Sequence, residues 1–127
     1  MIVVDTSALM AIALDEPIAE RCIVALENSE DTLISAATAA EAMIAASRRG
    51  VDQEMSILLD DLEIVVVPLN FADTHRVADA YRRWGKGFHP AALNFGDCFA
   101  YALANERGCP LLFIGNDFAQ TDVIPAL

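Results

Sequence analysis

Basic residues are scarce in this 127-residue sequence. It contains eight Lys and Arg against 19 Asp and Glu, which gives a formal net charge of −11, and Lys86 is its sole lysine. Proteins that bind nucleic acid without regard to sequence neutralise many phosphates with basic side chains. The composition therefore argues against a broad basic binding face, although bound divalent cations could supply positive charge locally.

Paired cysteines, histidine clusters and long apolar runs are also missing. The three cysteines are odd in number and share no metal-ligand spacing, so we expect core residues in a reducing compartment and a cytoplasmic protein. Neither His75 nor His89 has a second His or Cys at ligand spacing, which argues against zinc. The apolar N-terminal segment has no basic leader and is interrupted by Asp5, so we expect no signal peptide and no membrane anchor.

The sequence is rich in apolar residues, at 55% of its length. A chain of 127 residues with this composition can bury a core without disulfides or structural zinc. No repeat, linker or low-complexity segment interrupts it. We therefore expect a single domain over residues 1–127.

Short apolar strands alternate with helices or helix pairs along the chain. Strands are predicted at 2–4, 32–35, 64–67 and 111–114, and helices at 8–14, 17–27, 38–49, 52–62, 72–84 and 96–107. The wholly apolar strand at 64–67 is typical of burial on both faces. This order predicts an α/β fold, a three-layer α/β/α sandwich around a central, mainly parallel sheet. Residues 85–95 form its long loop.

Four acidic residues fall near the ends of strands or the starts of helices. Asp5 and Asp117 follow the first and last strands, while Glu41 and Asp97 lie early in helices. In such sheets the binding crevice lies beyond the carboxyl ends of the strands. Clustered carboxylates are unfavourable without cations, and their oxygens suit Mg²⁺ or Mn²⁺. The pattern predicts a site where cation-activated water attacks a phosphate.

Each of these acids also has a purely structural interpretation. Asp5 could cap a helix, and Glu41 could complete a Thr38-x-x-Glu41 capping box. Asp97 could complement a helix dipole, and Asp117 could be a turn residue. The coincidence of all four at one predicted edge favours the metal site.

Four stretches around these acids occur in the order and at the spacing of a known family. They are MIVVDTSAL at 1–9, AEA at 40–42, LNFGDCFAYALA at 93–104 and GNDF at 115–118. Together they resemble the PIN-domain family, specifically its VapC-type toxins, over essentially the whole chain. The resemblance implies a PIN-like fold and a Mg²⁺- or Mn²⁺-dependent endoribonuclease. Such an enzyme hydrolyses phosphodiester bonds of tRNA or other structured RNA as the toxin of a VapBC-type toxin–antitoxin pair.

The resemblance also assigns roles to individual residues. The implied metal-holding and catalytic acids are Asp5, Glu41, Asp97 and Asp117. Asp122 matches a further acid of many relatives that acts through water, and it ranks below the other four. Thr6 or Ser7 is implied to orient the first acid. Ile114 stands where many close relatives have a lysine, so the phosphate contact of that lysine is missing and substrate affinity or choice can differ.

Basic residues near the long loop are candidates for RNA contacts. Arg82, Arg83, Lys86 and His89 lie in or beside this loop, close in sequence to Asp97. They could contact phosphate, although a solvated surface explains each of them more simply.

Amide and aromatic side chains next to the acids are further candidates. Asn94 and Asn116 could hydrogen-bond a carboxylate or a bound water, or could merely satisfy backbone groups. Phe99 and Tyr101 fit a core better than a base-stacking platform, whereas both interpretations stay open for Phe95 in the loop.

Apolar helices exceed what one small core requires, which predicts protein partners. From composition and the resemblance together, we expect segment 8–14 and the helix with Met55, Ile57, Leu58 and Leu59 to form a groove for a VapB-type antitoxin. We expect a homodimer formed through other helices.

Two other function classes stay open. A phosphoryl-transfer receiver requires a lysine at a strand end, whereas Lys86 falls in a loop, and the Asp-x-Asp pattern of phosphatases is replaced by Asp5-Thr6-Ser7. A non-catalytic binding module with a PIN fold is the second alternative, against which the intact set of four acids argues.

Overall fold

The computed structural model describes all residues, 1–127. Its strands are β1 (Ile2–Val4), β2 (Thr32–Ser35), β3 (Val65–Val67) and β4 (Leu111–Leu112). Its α-helices are α1 (Thr6–Ala13), α2 (Ala19–Glu27), α3 (Ala36–Arg49), α4 (Asp52–Asp61), α5 (Phe71–Trp84) and α6 (Phe95–Arg107), and a short 3₁₀ helix covers Phe118–Gln120. Every predicted strand and helix is confirmed, with bounds that differ by no more than two residues.

The four strands form one parallel sheet in the order β3-β2-β1-β4. Val3 of β1 pairs with Leu33 of β2 on one side and with Leu111 of β4 on the other. Because β1 lies in the middle of the sheet, the residue that follows it emerges at the centre of the carboxyl edge.

Side chains of β1 alternate between two hydrophobic cores, one on each face of the sheet. Val3 packs with residues of α5 and α6, among them Leu103. Ile2 and Val4 pack on the opposite face with residues of α1 to α4, among them Met55. This alternation is the period of a β-strand covered on both sides. The predicted three-layer α/β/α sandwich is confirmed.

The prediction that the strand at 64–67 is buried on both faces is wrong. β3 is an edge strand whose sole partner in the sheet is β2, and Val65 and Val66 are each 52% exposed. An apolar β-branched run favours extended backbone wherever the strand lies, so it does not report the position of the strand in the sheet.

The apolar surplus predicted for α1 and α4 is smaller than expected. Met55 is buried, and Ile12, Leu58 and Leu59 are partly buried against the core that these helices share. Ile57 remains 58% exposed. Much of the proposed antitoxin groove is therefore occupied by the contact between the two helices.

Three further features describe the helix ends, the cysteines and the length of the helices. Gly50 and Gly108 end α3 and α6 in the left-handed conformation, which glycine adopts without a steric penalty. All three cysteines are buried and unpaired. None of the helices combines the length and apolar character required to cross a bilayer.

Candidate active site

The carboxyl edge of the sheet gathers the predicted acids. Asp5 directly follows β1, Glu41 lies in the second turn of α3, and Asp97 lies in the first turn of α6. Asp117 follows β4 and precedes the 3₁₀ helix. The carboxylates of Asp5, Glu41 and Asp117 are all close enough to Asp97 to oppose its ionisation. The structure therefore brings these four residues together.

Asp5 is almost completely buried at the N-terminus of α1, at 4% exposure. Its Oδ2 accepts hydrogen bonds from the Ser7 backbone N–H at 3.0 Å and from the Ser7 hydroxyl at 2.6 Å. Burial raises the pKa of Asp5, and the hydrogen bonds from Ser7 oppose that change. Oδ1 is buried without a partner. Asp5 is thus both the predicted helix cap and a carboxylate with one oxygen left for a ligand.

Two adjacent hydroxyls orient two different acids. The Ser7 hydroxyl, which donates to Asp5, accepts a hydrogen bond from the Ile114 backbone N–H at 3.0 Å. The Thr6 hydroxyl donates to Oε1 of Glu41 at 2.5 Å. The resemblance left Thr6 and Ser7 as alternatives for the first acid, and the structure assigns Ser7 to Asp5 and Thr6 to Glu41.

Gly96 makes room for Glu41. A Cβ at position 96 would lie 2.9 Å from the carboxyl carbon of Glu41 and would overlap its Oε2. Sequence reasoning missed this role of Gly96, and the only available signal was a glycine in a helical first turn beside Asp97. The alternative Thr38-x-x-Glu41 capping box is wrong, because α3 begins at Ala36 and Glu41 is bound to Thr6.

Asp97 and Asn94 form a capping box at the start of α6. Oδ2 of Asp97 accepts a hydrogen bond from the Asn94 backbone N–H at 2.9 Å, and Oδ1 of Asn94 accepts one from the Asp97 backbone N–H at 2.8 Å. The pKa of Asp97 is raised to about 6, mainly by burial and also by the neighbouring carboxylates, while the hydrogen bond from the Asn94 N–H opposes the increase. Asn94 therefore acts on backbone and positions Asp97, whereas Asn116 lies exposed before Asp117.

The four acids suit a hard divalent cation by their chemistry. No three His, Cys, Asp or Glu side chains are already arranged around a common point. Glu41 and Asp97 each have one oxygen bound, by Thr6 and Asn94 respectively. The donors are nevertheless all oxygens, one oxygen of Asp5 is buried and unpartnered, and the carboxylates repel one another. A cation such as Mg²⁺ or Mn²⁺ would bind the unpartnered oxygen and reduce the repulsion between the carboxylates.

Asp122 does not join the other acids. Its carboxylate accepts a hydrogen bond from the Tyr101 hydroxyl at 2.6 Å and pairs with Arg83 at 3.3 Å. The charge of Asp122 is not among those that change the pKa of Asp97. The predicted metal role of Asp122 is therefore not supported, and its contacts attach the C-terminal segment to α5 and α6.

The four candidate RNA contacts divide into two pairs. Arg83 stacks on the Trp84 ring at 4.7 Å, in addition to its ion pair. His89 packs edge-on against the same ring, at 4.7 Å between centroids. Arg82 and Lys86 are exposed. Arg82 forms one weak, exposed ion pair with Asp79 at 3.0 Å and Lys86 forms none, so both can turn to a ligand, whereas Arg83 and His89 are engaged with Trp84 within the chain.

Comparison with known proteins adds sequence relatives. A family model described as PIN domain matches residues 2–124. Ribonuclease VapC30 of Mycobacterium tuberculosis is 42% identical over 126 residues, with 95% of each chain covered. Ribonuclease VapC of Mycolicibacterium smegmatis is 43% identical over 126 residues, which cover 95% of this chain and 96% of the relative.

Solved structures share the fold at low sequence identity. VapC20 of M. tuberculosis, described as a sarcin-ricin loop cleaving toxin, has a TM-score of 0.79 at 14% identity and covers 98% of this chain and 97% of its own. A toxin–antitoxin complex from Klebsiella pneumoniae gives a TM-score of 0.74 at 18% identity. The match covers 100% of this chain and 98% of the chain in that complex.

Proposed function

The chain belongs to the PIN-domain family, and from this premise we propose that it is a toxin endoribonuclease that uses a divalent cation. The observation that carries the proposal is the convergence of four carboxylates at the carboxyl edge of the sheet, with one oxygen of Asp5 buried and unpartnered. Relatives named VapC ribonucleases, 42–43% identical over nearly the whole chain, support the same activity.

The residues proposed to hold the cation are Asp5, Glu41, Asp97 and Asp117. When bound, Mg²⁺ or Mn²⁺ supplies positive charge beside the scissile phosphate and makes water more acidic. Hydrogen bonds from Ser7, Thr6 and Asn94 each fix one oxygen of an acid and leave the other oxygen for ligation. Such supporting hydrogen bonds reduce the rotamer freedom that a cation would otherwise have to remove.

The proposed reaction is hydrolysis with water as the nucleophile. Water attacks phosphorus in line, the bond from phosphorus to the 3′-oxygen breaks, and the products carry a 5′-phosphate and a 3′-hydroxyl. The 2′-hydroxyl takes no part. Products that end in a cyclic phosphate would contradict this chemistry.

The proposed substrates are tRNA or other structured RNA. Ile114 supplies no positive charge, and its side chain is partly buried against the core around α1 to α4. With a net charge of −11, the chain has little basic surface for phosphate contacts. RNA affinity would therefore depend on the cation and on a few local contacts.

The proposed partners are a VapB-type antitoxin and a second copy of the chain. One of the fold neighbours was solved as a toxin–antitoxin complex. Large apolar side chains remain exposed on α3, α4 and β3, including Met43, Ile44, Ile57 and Val66. Exposed apolar surface of this kind is typical of protein interfaces.

Cleavage of total cellular RNA tests the proposed function. The purified protein, freed of any bound antitoxin, is incubated with Mg²⁺ or Mn²⁺ or with chelator, beside Asp5→Asn. We expect discrete fragments that require the cation and disappear in the variant. Absence of cleavage with either cation would instead favour the non-catalytic binding module.

A further inference from the structure

The two edges of the sheet are covered differently. At the β4 edge, the C-terminal segment forms a parallel bridge between Pro125 and Leu111, whose N–H donates to the Ile124 carbonyl at 2.9 Å. At the other edge, β3 pairs with β2 alone, and residues 64–68 take part in no backbone hydrogen bond outside the sheet. One edge is therefore closed by the chain itself, whereas the outer edge of β3 is open.

Neither face of β3 is fully covered. Successive residues of a strand point to opposite faces of the sheet, and Val65 and Val66 are each 52% exposed. Leu69 and Phe71, which follow the strand, are 42% and 79% exposed. The open edge therefore lies within a stretch of exposed apolar side chains, which is typical of a surface that meets another protein.

β3 lacks the usual protection of an edge strand. Such strands commonly carry a charged side chain or a bulge that prevents another strand from pairing with them, whereas the residues of β3 are all valine. Pro68 has no N–H to donate, so it limits the open segment at its carboxyl end. An open edge accepts an extended segment of another chain through main-chain hydrogen bonds. The occupant that this edge fits is therefore a short β-strand.

Charge identifies the chemistry of that strand. Asp60, Asp61 and Glu63, just before β3, are exposed, and none of them forms an ion pair. A second copy of the chain would bring the same acids and the same net charge of −11 to this edge, so like charges oppose pairing between copies. Lys and Arg side chains of a different protein are attracted to the acids instead.

We propose that the outer edge of β3 is a docking site for an extended segment of a partner protein in which β-branched apolar residues are followed by Lys or Arg. The segment adds to the sheet as an antiparallel strand, the more stable pairing per residue, so its basic end lies beside residues 60–63. None of the four candidate catalytic acids lies on β3 or in its flanking segments. The inference therefore does not depend on the proposed ribonuclease function.

Binding of a designed peptide tests the open edge. The probe is fluorescein-labelled TVTVKRK, measured by fluorescence anisotropy at low salt in the presence of chelator. The same peptide N-methylated throughout its TVTV segment keeps the side chains and the charge but cannot donate main-chain hydrogen bonds. We expect the N-methylated peptide to bind about tenfold more weakly or worse, because pairing with β3 requires those N–H groups.

Neutralising the acids beside β3 tests the role of charge. The variant Asp60→Asn/Asp61→Asn/Glu63→Gln removes the negative charges at the start of the open edge. We expect its Kd for TVTVKRK to rise about tenfold, since each exposed ion pair contributes about one- to fivefold in affinity.

Asp15→Asn/Glu16→Gln/Glu20→Gln is the matched control. These acids are also exposed and free of ion pairs, and Glu20 lies beside the C-terminal residues 126 and 127, on the side of β4. The control loses the same charge at the opposite edge of the sheet, so we expect its Kd to stay within about twofold of the wild-type value. Circular dichroism and urea unfolding of both variants confirm that they fold.

The outcomes separate a docked strand from a general attraction of charge. Absence of TVTVKRK binding by the wild type, or equal binding of the N-methylated peptide, would overturn the proposal. Equal effects of the two charge-neutralised variants would also overturn it, because the attraction would then belong to the whole acidic surface. A dimer in sedimentation that Val66→Lys reduces to a monomer would place a second copy of the chain at β3 and would likewise contradict the proposed occupant.

Discussion

The α-carbon of Gly96 lies against the carboxylate of Glu41, so that a Cβ at position 96 would be 2.9 Å from the carboxyl carbon. This close approach joins the first turn of α6 to the middle of α3. Two of the four acids, Glu41 and Asp97, thereby come from helices that contact each other at the site.

Gly96→Ala tests this close approach. The added methyl group must displace Glu41, so we expect kcat/KM for RNA to fall at least tenfold. Alanine favours a helix over glycine by up to about 1 kcal/mol, so the melting temperature should not fall in parallel. Full cleavage activity in a folded Gly96→Ala protein would show that the position of Glu41 is unimportant.

Ser7→Ala tests the link between Asp5 and β4. The change removes one hydrogen bond to Oδ2 of Asp5 and leaves the Ile114 N–H without its acceptor. We expect a loss of about 1–3 kcal/mol in the free energy of unfolding, measured in urea, together with slower cleavage. Ser29→Ala is the control, because that exposed hydroxyl contacts only the nearby Asp31 carbonyl. Equal effects of the two changes would contradict the assigned role of Ser7.

Asp97→Asn should stabilise the cation-free protein at neutral pH. Because burial raises the pKa of Asp97 from 3.8 to about 6, its contribution to stability is present below pH 4 and is lost as pH rises through 6. The variant cannot ionise. We expect the free energy of unfolding of the variant at pH 7.5 to exceed that of the wild type by about 1 kcal/mol, after discounting for solvent screening of a partly exposed group.

Urea unfolding in chelator at pH 4 and pH 7.5 checks this sign. The advantage of Asp97→Asn should disappear at pH 4, where the wild-type carboxyl is itself neutral. A variant less stable than the wild type at pH 7.5 would show that burial and the neighbouring carboxylates do not disfavour the ionised Asp97 carboxyl as described.

Asp122→Asn should leave catalysis intact. The amide can still accept from Tyr101 but loses the charge that pairs with Arg83. A solvent-exposed ion pair contributes about 0–1 kcal/mol, so a small loss of stability is expected with unchanged kcat. Loss of cation-dependent cleavage with an unchanged melting temperature would restore Asp122 to the site.

The elements of the fold could be predicted because apolar periodicity and glycine positions mark them along the chain. The exposure of Val65 and Val66 could not be predicted from the sequence. It depends on strand order, which is set by contacts between segments that are far apart in sequence. An apolar run shows that a strand is favoured and does not show how many neighbours it has.

The candidate acids could be predicted because residues that follow parallel strands share one edge of the sheet. The hydrogen bonds that support these acids could not be predicted, because successive residues in a helical turn point in different directions. Ser7 and Thr6 therefore serve different acids although they are adjacent. Asp122 lies near Asp117 in sequence, yet the turn between them directs it to Tyr101.

Binding of Mn²⁺, measured by electron paramagnetic resonance, tests most directly whether the four carboxylates form a cation site. Wild type, Asp97→Asn and Asp122→Asn are titrated side by side near neutral pH. We predict that wild type and Asp122→Asn bind Mn²⁺ alike and that Asp97→Asn binds at least tenfold more weakly. Equal binding by wild type and Asp97→Asn, or no binding by the wild type, would contradict this account.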